Sequence, residues 1–233
     1  MKKLFIPLLA LLLAFTCLSC GKDKAQESSD SPAIQPQPSE TVSQPAEPPA
    51  EESTPAQIEL TAEMLEELSA LFVPGTWYNY ALFSDFISPE TVNLGTLFYD
   101  GDPNETVTDA EMAYLTALPN GDMYRDLDVS KITLPKMDEV LQTYFGITLA
   151  ETEGNGLDDL VYVPNFSAYF HAHSDTTADL YTFPYGFELE NGDVELYYHR
   201  TWDSEPFYCI VTLHRSGTGI WQLVSNVPVD AGK

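Results

Sequence analysis

A chain of 233 residues carries 36 acidic side chains against 10 basic ones, a formal charge of −26 at neutral pH. Such a surface repels nucleic acid and anionic lipid, so no nucleic-acid partner is expected. Residues 57–233 hold 29 of the acidic and six of the basic side chains, and this excess suits plain solubility first, divalent cations or basic partners second.

Met1–Ser19 opens with Lys2 and Lys3, runs through the apolar Leu4–Phe15 and ends on small residues before Cys20. A basic start, an apolar middle and a small residue before the cut make a secretory signal, and the apolar run is short for a membrane span. The stretch Cys17-Leu18-Ser19-Cys20-Gly21 resembles the lipobox of bacterial lipoproteins, with Cys17 where that family usually has Leu. The resemblance implies that Cys20 receives a diacylglycerol after cleavage. Two or more acyl chains on one residue anchor a protein stably. The expected location is therefore the extracytoplasmic face of the cell membrane, with the membrane as a partner through the lipid. Of the three cysteines, Cys17 would leave with the signal and Cys20 would carry lipid. Cys209 then has no intramolecular disulfide partner, and its apolar setting Tyr208-Cys-Ile-Val suits a buried small hydrophobe.

Residues 20–57 form a linker rich in Pro, Ser, Glu, Gln and Ala with no aromatic residue. Such a segment cannot bury enough surface to offset chain entropy, so it is expected to be disordered. As a Pro-rich tether, at about 3 Å per residue, it would reach roughly 100 Å.

Residues 58–233 are long enough for a single domain with its own core. Thr61 is an N-cap candidate for a helix to about Phe72, with Met64, Leu65, Leu68, Leu71 and Phe72 at helical spacing and Pro74-Gly75 as the stop. Trp77–Phe86 reads as a second short helix, whose aromatic residues suit a core better than a sugar or peptide platform. Thr108-Asp-Ala-Glu111 is a capping box opening a helix to about Leu118. Ser130–Thr133 reads as a short strand. Pro135 at a first helical position opens Pro135–Phe145, with Gly146 as its stop. Thr148-Leu-Ala-Glu151 is a second capping box. Tyr162–His173 is aromatic and ambiguous between strand and loop.

Leu180–Asn226 reads as a meander of about four strands. Asn191-Gly192 between alternating runs predicts a two-residue type I′ hairpin. That register sets Glu190 opposite Asp193, Leu189 opposite Val194, Glu188 opposite Glu195 and Phe187 opposite Leu196. Phe187, Leu189, Val194 and Leu196 would then share the buried face, and Glu188, Glu190, Asp193 and Glu195 the outer one. Phe207–Arg215, the Ser216–Gly219 turn and Ile220–Asn226 complete the meander. Helices first and strands last predict an α+β fold, with N-terminal helices packed on a C-terminal antiparallel sheet.

The order Trp77-Tyr-Asn-Tyr-Ala-Leu, Val92-Asn-Leu, Leu97-Phe-Tyr, Tyr144-Phe-Gly-Ile147 and Ala168-Tyr-Phe resembles a family of uncharacterised lipoproteins from Gram-positive anaerobes. The resemblance covers most of residues 58–226. It implies location and fold continuity but no activity.

Two stretches carry ligand-type chemistry. In Asp100-Gly-Asp102-Pro-Asn104 with Glu111, oxygen-bearing residues fall at positions 1, 3, 5 and 12 of an EF-hand-like loop, a calcium candidate. Glu105 stands where such a loop wants Gly. The competing reading is an acidic turn before a capped helix. His171-Ala-His173-Ser-Asp175 resembles the His-x-His-x-Asp run of metallo-β-lactamase-like hydrolases, with Thr176 in place of the next His. On a strand its two imidazoles would share a side, as two zinc ligands need, and His199 and His214 remain to complete a site. No G-x-S-x-G, P-loop or dinucleotide fingerprint occurs. The reading is a monomeric, lipid-anchored extracytoplasmic binding or structural module without chemistry or cofactor of its own, for a protein, peptide or glycan ligand. The alternative is a cell-surface hydrolase using carboxylates or a His171/His173 metal site.

Overall fold

The computed structural model describes residues 57–174, 181–200 and 207–229. The strand β1 (Ile58–Glu59) leads into the helix α1 (Ala62–Ser69). Thr61 Oγ1 accepts from the Met64 amide at 3.2 Å and starts the helix as its sequence predicts. A 3-10 turn carries it on to Phe72. Leu68 and Phe72 are buried, which places the apolar stripe of α1 against the core.

The second helix, α2 (Trp77–Ala81), is shorter than its sequence suggests. Side chains of the sheet capture the carbonyls that a longer helix would use. Arg200 donates to the Leu82 carbonyl at 2.8 Å, and Asn226 Nδ2 donates to that of Ser84 at 2.8 Å. The Phe86 amide turns instead to the Asn226 carbonyl. Tyr78, Leu82 and Phe86 are buried, so the aromatic run is core.

Three short helices follow: α3 (Leu94–Leu97), α4 (Asp109–Leu115) and α5 (Met123–Asp126). The Thr108–Glu111 capping box is formed at the start of α4. Strand β2 (Asp128–Thr133) runs directly into α6 (Leu134–Tyr144), which buries Met137, Val140 and Leu141. The Thr148–Glu151 box closes one 3-10 turn.

The segment that the sequence leaves between strand and loop is a hairpin of β3 (Val161–Val163) and β4 (Ala168–His173). With β2 it makes a three-stranded antiparallel sheet in the order β2-β4-β3, a layer the sequence reading does not contain. One face packs Val163, Ala168, Phe170 and Ala172 against Leu115 and Tyr124. On the other face Ile132 joins the main core, with Tyr169 packed against it.

The main sheet is antiparallel, in the order β1-β5-β6-β7-β8, with β5 (Tyr185–Glu188), β6 (Val194–Arg200), β7 (Phe207–Arg215) and β8 (Trp221–Pro228). The four-strand meander is present, and β1 extends its edge. Val194, Leu196, Tyr198, Cys209, Val211, Leu213 and Leu223 are buried together with residues of α1, α2 and α6. Each large side chain so buried contributes about 1.5–3 kcal/mol. The fold is α+β, with its C-terminal region all strands.

The β5–β6 hairpin corrects the expected register by one residue. Phe187 lies opposite Glu195 and Glu188 opposite Val194. The Leu189 carbonyl accepts from the Gly192 amide, and the Asp193 carbonyl from the Leu189 amide. The loop is therefore three residues long. A type I′ turn needs positive φ at both central residues. Here Gly192 has φ +82, while Asn191 is not among the positive-φ residues and its side chain instead accepts from the Asp193 amide. Phe187 consequently lies on the outer face against Tyr197, and Gly186 faces Leu196. The four acidic residues do not share a face, since Glu195 pairs with Phe187 and Glu188 with buried Val194.

Candidate functional site

Alternation along β4 sends Ala168, Phe170 and Ala172 into the smaller core and leaves Tyr169, His171 and His173 on the opposite face. The two imidazoles lie parallel, 5.9 Å between centroids and 6° between planes. Tyr99, just beyond α3, covers both, at 4.2 Å from His171 and 5.4 Å from His173. The Ser130 hydroxyl donates to the Tyr99 carbonyl at 2.8 Å, which fixes Tyr99 to β2.

A cavity of about 370 Å³ opens beside this cluster, lined by Gly95, Thr96, Tyr99, Asp159 and His171. Its wall depends on a close backbone approach. The Asn155 carbonyl accepts from the Leu94 amide at 2.7 Å, and Asn93 caps α3 by accepting from the Thr96 amide at 2.9 Å. A Cβ on Gly95 would lie 2.4 Å from the Gly156 carbonyl oxygen and 3.2 Å from Asp159 Oδ2. Only glycine admits that contact. A second hollow of about 230 Å³ lies by His173, lined also by Asp126, Leu127, Asp128 and Ser174.

Burial pushes the His171 imidazole below its ordinary pKa, and the neighbouring His173 adds to this; a hydrogen bond to the Tyr99 backbone and the charges of Asp100 and Asp159 work against it. Nδ1 of His171 is buried with no hydrogen-bond partner among the described residues. Protonation would put a second N–H where no described group accepts it, which acts in the same direction as burial. His173 Nδ1 lies 3.1 Å from the Ser174 carbonyl.

The predicted calcium residues sit otherwise engaged. Asp102 Oδ1 accepts from the Asn104 amide at 2.8 Å and from its side chain at 3.0 Å, and Oδ2 lies 3.5 Å from Lys136 Nζ. Glu111 Oε1 lies 2.8 Å from Lys131 Nζ, and Oε2 takes the Thr108 amide and hydroxyl. Tyr80 and Asp100 are joined by a side-chain hydrogen bond. Glu105 does not make the sharp turn of an EF-hand loop: Gly101 has positive φ, and Glu105 instead accepts from the Thr133 amide and hydroxyl. Among the described residues no group of three or more His, Cys, Asp or Glu is placed to hold a metal ion.

His171 and His173 are brought together as the strand reading predicts, whereas His214 is bound to Asp193 at 2.6 Å and His199 packs on Tyr208. Asp175, Thr176, Cys20 and nearly all of the linker lie outside the described residues. Cys209 is buried, and burial pushes its thiol up, which removes nucleophilic character. No helix among the described residues is long and apolar enough to cross a membrane.

No family model, no curated protein and no solved structure matches the chain. The site is therefore read from its geometry. Tyr99, Thr96 and Asp159 were not visible as site residues in the sequence. The contact of Gly95 with Gly156 shapes the wall but leaves no local pattern in the sequence.

Proposed function

We propose that this protein is a lipid-anchored extracytoplasmic binding module, without chemistry of its own, that takes a small ligand in the cleft under Tyr99. The observation that carries this reading is the lining: among the described residues, one exposed aromatic ring, one hydroxyl, one imidazole and one carboxylate around about 370 Å³. That volume lies in the usual range for small-molecule sites. A hydrolase needs a nucleophile and base, two cooperating carboxylates or an open metal site. Among the described residues of this lining, Asp159 is the one carboxylate and His171 the one imidazole.

The anchoring half of the reading rests on the lipobox resemblance. Cys20→Ala should move the protein from the membrane fraction to the soluble one and abolish incorporation of labelled lipid. The binding half is tested by screening the full chain against small ligands, beside Tyr99→Leu. Ligand binding that Tyr99→Leu removes supports the reading. Hydrolysis of a ligand, lost in a His171→Ala variant, would favour the hydrolase instead.

A further inference from the structure

We infer that the cleft under Tyr99 takes an amine, with its ammonium group held between the Tyr99 ring and the Asp159 carboxylate. This rests on the cleft being a ligand site and adds the chemical class that it selects. The described lining residues are Gly95, Thr96, Tyr99, Asp159 and His171, with no lysine or arginine among them. An anion placed there would lie beside Asp159 with no cation to compensate its lost hydration, a costly arrangement. His171 is poorly placed to supply that charge, because its Nδ1 is buried with no hydrogen-bond partner among the described residues and burial lowers its pKa.

An ammonium finds the opposite. Tyr99 is 37% exposed, and an aromatic face attracts a cation that lies over it. Asp159 supplies the counter-charge, with Oδ2 held close to Gly95 on the cleft wall. The Thr96 hydroxyl can accept one of the ammonium hydrogens. The second hollow has the same character: Asp126, Asp128 and His173 line it, with no lysine or arginine among its described lining residues. Tyr99 and His171 line the first hollow, and His173, whose ring lies parallel to that of His171, lines the second. A net excess of acid over residues 57–233 would draw cations toward the surface and raise their local concentration.

The test uses three probes of equal chain length on the full-length protein: 1,5-diaminopentane, 1,5-pentanediol and glutarate. Binding is followed by calorimetry and by the NMR signal of the His171 ring. The diamine should bind and shift that signal, while the diol and the diacid should not. Asp159→Asn and Tyr99→Leu should each weaken diamine binding at least tenfold, with both variants checked for an unchanged fold by thermal melting. Should one of them fail to fold, the other carries the test. Two results would overturn the inference. One is diamine binding that Asp159→Asn leaves intact, which marks non-specific attraction to an acidic surface. The other is a diol or a monosaccharide binding as tightly as the diamine and losing that binding in Tyr99→Leu; the cleft would then still be a ligand site, but for hydroxylated ligands. If no probe of any class shifts the His171 signal, both this inference and the cleft as ligand site fall.

Discussion

Lys131 Nζ lies 2.8 Å from Glu111 Oε1, while the other oxygen of the same carboxylate takes the amide and the hydroxyl of Thr108. One side chain thus caps α4 and ties it to the edge strand β2. Both partners are well shielded, with the Glu111 side chain 6% exposed and that of Lys131 14%. Removing one member of such a pair strands the other charge away from water, which costs more than the pair itself contributes.

Glu111→Ala should therefore destabilise the protein by about 3 kcal/mol, from the stranded lysine and the lost cap together. Urea denaturation at pH 7 measures it. The pH dependence follows from the same contacts. Burial alone would raise the Glu111 pKa, but the hydrogen bonds from Lys131 and Thr108 outweigh it and hold the carboxyl below its ordinary 4.5. A group depressed in the folded state adds stability above its unfolded pKa and loses it as pH falls through the folded value. Wild-type protein should weaken between neutral pH and pH 3 more steeply than Glu111→Gln. Parallel curves for the two would show that the pair contributes nothing to acid sensitivity.

Calcium should leave the melting temperature unchanged. Lysines already lie against Asp102 and Glu111, and Glu105 is committed to Thr133. A calcium ion would have to displace both ammonium groups. Were calcium bound by the folded state alone, stability would rise by about 1.4 kcal/mol at ten times its Kd. Melting with chelator and with millimolar calcium, beside Asp100→Ala, decides this. A rise confined to the unmutated protein would restore the calcium reading of Asp100, Asp102, Asn104 and Glu111.

Two glycine substitutions should separate backbone strain from steric conflict. Gly192 has φ +82 with nothing within 4 Å of an added Cβ, so Gly192→Ala should cost only the left-handed conformation, about 1 kcal/mol. Gly95→Ala would meet the Gly156 carbonyl at 2.4 Å. Backbone must move there, so the loss should be larger, and the wall of the cleft should shift with it. Equal losses, read from chemical denaturation, would contradict the close packing of α3 on residues 154–157.

What could be read in the sequence was what is decided locally. Thr61, Thr108 and Thr148 cap helical turns through residues three places on, and each such pattern is visible in a line of text. The Ser216–Gly219 turn between β7 and β8 was equally plain, with Gly219 at φ +86. The three-stranded sheet was not, because Ser130 meets its partner His171 across 41 residues. The β5–β6 register hung on the φ of one residue, Asn191, and on Phe187 packing outward on Tyr197. The cleft joins Tyr99, Asp159 and His171 from three separate stretches. Only the spacing of His171 and His173 marked it, and that spacing suggested a metal before it suggested a ring stack.

His171 gives the last test, since its neutral state is built into the cleft. Burial and the nearby His173 lower its pKa below the ordinary 6.5. The unfolded chain therefore binds a proton more readily than the folded one. Stability attached to this residue is full above pH 6.5 and is lost as pH falls from there through the folded pKa. Most carboxylates titrate lower, so the window from about pH 7.5 to 5.5 isolates histidine. The contact of His214 with Asp193 is common to the wild type and the variant and cancels in the comparison. Urea midpoints across this window should fall for the wild type and fall less for His171→Gln, which keeps a polar side chain of similar reach. If the two fall in parallel, the ring is not held neutral by burial, and the imidazole of the cleft must be treated as a charge that comes and goes with pH.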